Sequence, residues 1–180
     1  MRMHVGDKWI DKDDKIEVLN PFDGSVVDTV PRADSADVQK AIPALAAMAG
    51  GIGDPHVRHR GTIGGSISNN DPAADYPAAV LGLGATIHTN KREISADDFF
   101  TGLFETALDD GEIVTKVVFP APDKACYIKF PNPASRFAIV GSFVSKKGDD
   151  VRVTITGAGP GVFRVAEMAA ALKGNFAADA

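Results

Sequence analysis

The run Gly61-Thr62-Ile63-Gly64-Gly65-Ser66, followed by Asp71-Pro72-Ala73-Ala74-Asp75, holds the residues best suited to chemistry. Two adjacent glycines let backbone N–H groups approach a ligand with no Cβ in the way. Successive N–H groups in such a turn form a concave anion site. Flanking hydroxyls add donors, and a carboxylate a few residues on can accept hydrogen bonds from ribose hydroxyls. The set suits the pyrophosphate and sugar of a dinucleotide. Taken alone, the same residues also describe a tight turn between two strands.

Other chemistry-bearing residues carry less. His56 and His59 are spaced as a metal pair, but nothing nearby supplies a third and fourth ligand. Gly157-Ala158-Gly159-Pro160-Gly161 imitates a dinucleotide fingerprint, with the third glycine misplaced and Pro160 lacking the N–H that a phosphate needs. It is read as a loop. Ala49-Gly50-Gly51 imitates a flavin loop and is read as a helix terminator. Tyr76, Phe99 and Phe100 could stack on a flat ligand, with core packing as the alternative. Cys126 lies in the apolar run Ala125-Cys126-Tyr127-Ile128 and is read as a buried structural thiol. No nucleophile with a matched base is found, so no catalytic residue is assigned.

Elements must hold these residues. Lys15 to Val18 and Ser25 to Val30 read as strands joined through Pro21-Phe22-Asp23-Gly24, a hairpin signal. Asp34 or Ser35 caps a helix running through Ile42. Ala36 to Met48 is helix-like, but Pro43 sits in its middle, where it would cost roughly 3 kcal/mol. Two abutted helices resolve that conflict. A helix is expected from about Ala74 to Leu83. Ala85 to Thr89 and Arg92 to Ser95 read as strands around Asn90-Lys91. Ser95 caps a short helix carrying Phe99. Glu112 to Phe119, Ala125 to Phe130, Phe137 to Val144 and Val151 to Thr156 alternate as strands. Val165 to Lys173 reads as a helix with Gly174 as its C-cap. Neighbouring antiparallel strands mixed with helices predict an α+β fold.

Composition excludes several classes. A net charge of −5 over 180 residues and no basic stripe argue against a nucleic-acid partner. One cysteine permits no internal disulfide and cannot hold an iron–sulfur cluster. No apolar stretch approaches the ~18 residues of a membrane span. No signal peptide is seen.

From about Pro43 onward the chain resembles the FAD-binding medium subunit of the molybdenum hydroxylases, the xanthine and carbon-monoxide dehydrogenase family. Ile52-Gly53-Asp54-Pro55-His56-Val57-Arg58-His59-Arg60-Gly61-Thr62-Ile63-Gly64-Gly65-Ser66 carries the likeness. It continues through Asn70-Asp71-Pro72-Ala73-Ala74-Asp75-Tyr76-Pro77 and Asp97-Asp98-Phe99-Phe100-Thr101-Gly102. The resemblance implies FAD as cofactor. It places Thr62, Ile63, Gly64, Gly65 and Ser66 on the pyrophosphate, and Asp75 on a ribose or ribitol hydroxyl. Many relatives have Asn where this chain has Ser66. Val114 matches an apolar position packing near adenine or isoalloxazine, with core packing as the alternative. Lys129 matches a basic position beside the cofactor, with a solvated strand residue as the alternative. No metal ligand is implied in this subunit.

The resemblance also implies partners: a molybdopterin-containing large subunit and a [2Fe-2S] small subunit. Electrons pass from their iron–sulfur clusters through FAD to an external acceptor, in a cytoplasmic complex with no membrane span. The fold implied is a partial FAD-binding second subdomain with a mixed or antiparallel sheet, over 43–121. A truncated C-terminal α+β subdomain follows, over 122–180. Residues 1–42 differ: Glu17-Val18-Leu19-Asn20-Pro21-Phe22-Asp23-Gly24 to Asp37-Val38-Gln39-Lys40-Ala41-Ile42 is similar to the N-terminal segment of NAD-dependent aldehyde dehydrogenases. Two further readings therefore compete, an aldehyde dehydrogenase fragment and a chimeric reading frame with no competent site. The expectations are an irregular Thr62–Ser66 turn after a strand-like segment, Asp75 on the same groove, a leader that packs little, and weak FAD binding by a half site.

Overall fold

The computed structural model of the chain describes residues 3–5, 8–11, 13, 15–19, 25–31 and 42–176. The chain divides into two compact units, Met1–Ala46 and Ala47–Ala180. The first holds two antiparallel strand pairs: β1 (Met3–Val5) with β2 (Lys8–Ile10), and β3 (Lys15–Leu19) with β4 (Val26–Pro31). The second pair is the expected hairpin. Its connection at Pro21–Gly24 and the helix expected from Asp34 lie outside the described residues. Helix α1 (Pro43–Gly50) begins at Pro43 itself. Proline suits a first helical position, where its missing N–H has no partner to lose.

The second unit opens with three short helices, α2 (Pro55–Arg60), α3 (Ile63–Asn69) and α4 (Tyr76–Gly82). Strands β5 (Thr86–Thr89), β6 (Glu93–Ser95) and β9 (Val114–Val118) form an antiparallel sheet in the order β6-β5-β9. Between β6 and β9 come α5 (Ala96–Phe99), capped by the Ser95 hydroxyl, and the small pair β7 (Phe100–Gly102) and β8 (Glu105–Thr106). The larger antiparallel sheet runs β10 (Lys124–Pro131), β11 (Ala138–Lys147), β12 (Asp150–Thr156), β13 (Phe163–Arg164). Helix α6 (Ala166–Gly174) follows. It runs through Gly174 rather than ending before it, and Asn175 is the cap.

The core of this unit forms where α4 lies on β11 and β12. Pro77 through Gly82 are all buried. Gly82 permits the approach: a Cβ there would stand 2.7 Å from the Phe143 ring and 2.9 Å from Thr154 Oγ1. Buried hydroxyls then tie helix to sheet. Thr154 Oγ1 donates to Ala78 O at 2.8 Å, and Ser145 Oγ to Gly82 O at 2.6 Å. A backbone carbonyl buried beside a sheet needs such a donor.

One expectation is corrected here. Cys126 is exposed, not buried. It sits on edge strand β10, where exposure alternates: Cys126, Ile128 and Phe130 face outward while Ala125, Tyr127 and Lys129 face the sheet's covered side. A continuous apolar run hid that period of two.

Candidate functional site

The first wall of the site is the start of α3. Thr62 is extended, and its Oγ1 accepts from Gly65 N at 3.0 Å. Thr62 O accepts from Ser66 N at 3.0 Å. The Thr62–Ser66 segment is therefore a capped helix start and not an irregular turn. The segment before it is helix α2, not a strand, with Asp54 Oδ1 accepting from His56 N at 2.7 Å. The physical reason is that a threonine followed three residues later by a free N–H closes a cap. The two glycines tolerate helical angles as readily as turn angles. Helix geometry leaves the first N–H groups unpaired, so those of Ile63 and Gly64 keep their donors free. Val114 lies beside this turn: a Cβ on Gly64 would meet Val114 Cγ1 at 4.0 Å.

The second wall is Asp75, which is buried. Its loop is hung from the large sheet. Thr156 Oγ1 faces both Pro72 O (2.9 Å) and Ala74 O (2.8 Å), Gly157 N donates to Pro72 O at 2.7 Å, and Ala138 N to Ala73 O at 3.3 Å. Gly157 has φ of 86°, and a Cβ there would fall 2.6 Å from Ile139 O. Asp71 Oδ1 accepts from Ala73 N at 2.8 Å and closes the loop locally. Asp75 Oδ1 then accepts from Tyr127 Oη at 2.5 Å, and Oδ2 from Lys129 Nζ at 2.8 Å. Burial, and next the adjacent Asp75 carboxylate, push the Tyr127 hydroxyl well above the ordinary tyrosine range. Tyr127 is accordingly a protonated donor at neutral pH.

Ser66, Asp75 and Lys129 line one cavity of about 70 Å³, together with Ile52, Val57 and Phe137. Thr62, Ile63, Gly64, Gly65 and Val114 do not line it. The first four precede Ser66 in the capped turn of α3, and Val114 lies across from Gly64. His56 and His59 are exposed on α2. Among the described residues, no group of three or more His, Cys, Asp or Glu side chains could hold a metal.

Three supporting residues were given no role by the sequence. Tyr127 could have been found from its i, i+2 relation to Lys129, which puts both on one face of a strand. Glu112 precedes Val114 and receives Arg92 Nε and Nη2, each at 3.1 Å, Asp109 N at 2.8 Å and Thr89 Oγ1 at 2.6 Å. The Arg92 guanidinium leads in holding this carboxyl down to about 2. Asn70 ends α3 in a left-handed conformation (φ 46°), and its Nδ2 donates to Gly102 O and Glu105 O, both at 2.8 Å. These clamps fix the approach to Val114 and the far end of α3.

The donor set fits FAD in kind. Free N–H groups and the Thr62 and Ser66 hydroxyls suit a pyrophosphate. Asp75 suits a sugar or ribitol hydroxyl, and Lys129 supplies a cation. The volume does not suit the whole molecule: ligand pockets are usually about 300 Å³ or more. These two walls make one side of a larger site.

Comparison with known proteins supports FAD as the cofactor. Residues 24–122 match the family model described as the FAD binding domain in molybdopterin dehydrogenase, more than half of the chain. The match begins before Pro43. The medium chain of glyceraldehyde dehydrogenase from Sulfolobus acidocaldarius is 36% identical over 142 residues, 73% of this chain and 50% of that one. The nicotine 6-hydroxylase medium subunit of Paenarthrobacter nicotinovorans is 32% identical, over 84% of this chain and 57% of that one. The solved carbon monoxide dehydrogenase from Hydrogenophaga pseudoflava superposes with a TM-score of 0.61 at 33% identity, covering 68% of this chain and 47% of that one. Quinoline 2-oxidoreductase from Pseudomonas putida superposes with a TM-score of 0.64 at 26% identity, over 71% and 48%. The chain thus spans about half the length of the relatives it matches. With its mixed α+β fold and antiparallel sheets, the chain belongs to the family of FAD-binding domains of the molybdopterin dehydrogenases.

Proposed function

We propose that this chain supplies one side of the FAD site in the medium subunit of a carbon-monoxide-dehydrogenase-type molybdenum hydroxylase. The observation that carries the reading is the meeting of Ser66, Asp75 and Lys129 on one cavity, directly after the capped start of α3. Bound FAD would supply the redox chemistry, taking electrons from a partner and passing them to an external acceptor. This chain's residues bind and orient. The Ile63 and Gly64 N–H groups and the Thr62 and Ser66 hydroxyls donate to phosphate oxygens. Gly64 and Gly65 keep that surface bare. Asp75 accepts a sugar or ribitol hydroxyl, Lys129 offsets negative charge beside it, and Val114 gives an apolar flank at Gly64.

The partners in this reading are a molybdopterin-containing large subunit and a [2Fe-2S] small subunit, in the cytoplasm. The relatives' names as medium chains or subunits support assembly with larger and smaller subunits. The presence of one cysteine supports a cluster held elsewhere. No helix among the described residues is long and apolar enough to cross a membrane. The reading also keeps a leader over 1–42 of separate origin, with subdomains over 43–121 and 122–180. The unit boundary at Ala46 supports the first join, while a family match starting at residue 24 weighs against it.

Titrating FAD into the purified chain while following flavin fluorescence tests the reading. Saturable but weak quenching is expected, because a site closed on one side only leaves the flavin wet and the ordering cost is offset by few contacts. Asp75→Asn and Gly64→Val should each weaken it further. A folded chain with no saturable response up to about 1 mM, some 4 kcal/mol of binding, would end the claim of a competent site. The chimeric reading frame without one would then stand, and the small cavity is the observation in its favour.

A further inference from the structure

We infer that Tyr127 is the positioning residue of this site, and that Gly141 is the seat that lets it act. The inference rests on the reading of Asp75 as a hydroxyl acceptor. An ionised carboxylate offers about four acceptor positions. Tyr127 Oη occupies one on Oδ1, and Lys129 Nζ one on Oδ2. Each oxygen keeps one position for a ligand.

The two partners differ in kind. Lys129 carries its charge on a flexible stem and can follow a ligand. Its ammonium also lies 3.5 Å from Gly51 O. Tyr127 is stiff and uncharged. Its ring packs against Phe143, with centroids 6.2 Å apart. Its hydroxyl lies directly over Gly141. A Cβ on Gly141 would overlap the Tyr127 hydroxyl oxygen, stand 2.8 Å from Cζ and reach Thr156 Cγ2 at 3.0 Å. Gly141 pairs with Lys129 on one side and Thr156 on the other, in the middle of the sheet. Its φ is not positive, so no backbone angle demands glycine there. Glycine inside a strand weakens it unless something approaches closely. Here the approaching group is the phenol. Because Tyr127 is neutral, it fixes the carboxylate without adding a second cation to the one Lys129 already supplies.

Tyr127→Phe removes one oxygen and no bulk. In the ligand-free chain, the Asp75 Hα–Hβ couplings should show one χ1 rotamer in the wild type and rotamer averaging in Tyr127→Phe. In FAD titrations, Tyr127→Phe should weaken binding about tenfold in the wild-type background and by less than about twofold in Asp75→Asn. Gly141→Ala, which displaces the ring, should average the Asp75 rotamer at least as fully. A merely structural role would cost the same in both backgrounds. Equal losses, or Asp75 couplings unchanged by Tyr127→Phe, overturn the inference. If the wild type binds no FAD, the proposed function fails and the couplings alone decide the positioning role.

Discussion

The two walls of the site are held by different means. The Thr62–Ser66 wall is made from its own neighbours: a hydroxyl three residues back closes the first turn of α3. The Asp75 wall is made by distant chain. Tyr127, Lys129, Ala138, Thr156 and Gly157 reach it across more than fifty residues of sequence. A local cap forms cheaply and frays easily. A loop hung from a sheet moves only if the sheet or its helix moves. The donor wall can therefore adapt to a phosphate, while the acceptor wall presents a fixed carboxylate.

The contrast can be broken most severely through the seat of α4. Gly82→Ala places a Cβ against Phe143 and Thr154 Oγ1. Overpacking of that kind costs about 3 kcal/mol, and a thermal melt should show a larger loss than for either wall variant below. Next comes Thr156→Val, which keeps the shape and strips the donor from Pro72 O and Ala74 O. Leaving buried carbonyls short of a donor costs about 2 kcal/mol. Amide exchange should quicken at Ala73 and Asp75 but not at Gly65. Thr62→Ala is the mirror image: about 1 kcal/mol, with exchange quickening at Gly65 and Ser66 alone. Both walls loosening together in either variant would refute their independence.

Acid should act through Glu112. The Glu112 carboxyl is held below its unfolded value, so its stabilising contribution is complete above the ordinary range near 4.5 and fades as pH falls toward about 2. Glu112→Gln should flatten the stability profile over that window, read by denaturant melts at each pH. The smallest effect belongs to residues 1–42. Their removal is expected to shift the melting temperature of the remainder by less than about 3 °C. Unfolding of the remainder would end the reading of a separate leader.

The donor wall is readable in the sequence because its chemistry is contiguous, although the glycines disguise a helix as a turn. The strands of both sheets apart from β13, and α4, are legible from alternation and from the apolar run after Pro77. The acceptor wall is only half legible. Asp75 and Lys129 come from resemblance, but Tyr127 and Gly141 meet only through strand register, which no local pattern encodes. The exposure of Cys126 is hidden for the same reason: which face of a strand is covered is a property of its neighbours. Glu112 gives no signal because a charged residue in a loop is ordinarily solvated, and its partners Thr89, Arg92 and Asp109 converge only when β5 and β9 pair.

The outward Cys126 gives the molecule a single chemical address. A thiol-reactive dye or nitroxide would attach there alone, with no cysteine to remove first. Its backbone adjoins Tyr127, yet its side chain leaves by the opposite face of the strand from the cavity. A probe at that position would register changes in the motion of β10 from behind. Ligand arrival could then be watched by spectroscopy on an otherwise unaltered chain, with the label outside the space where binding takes place.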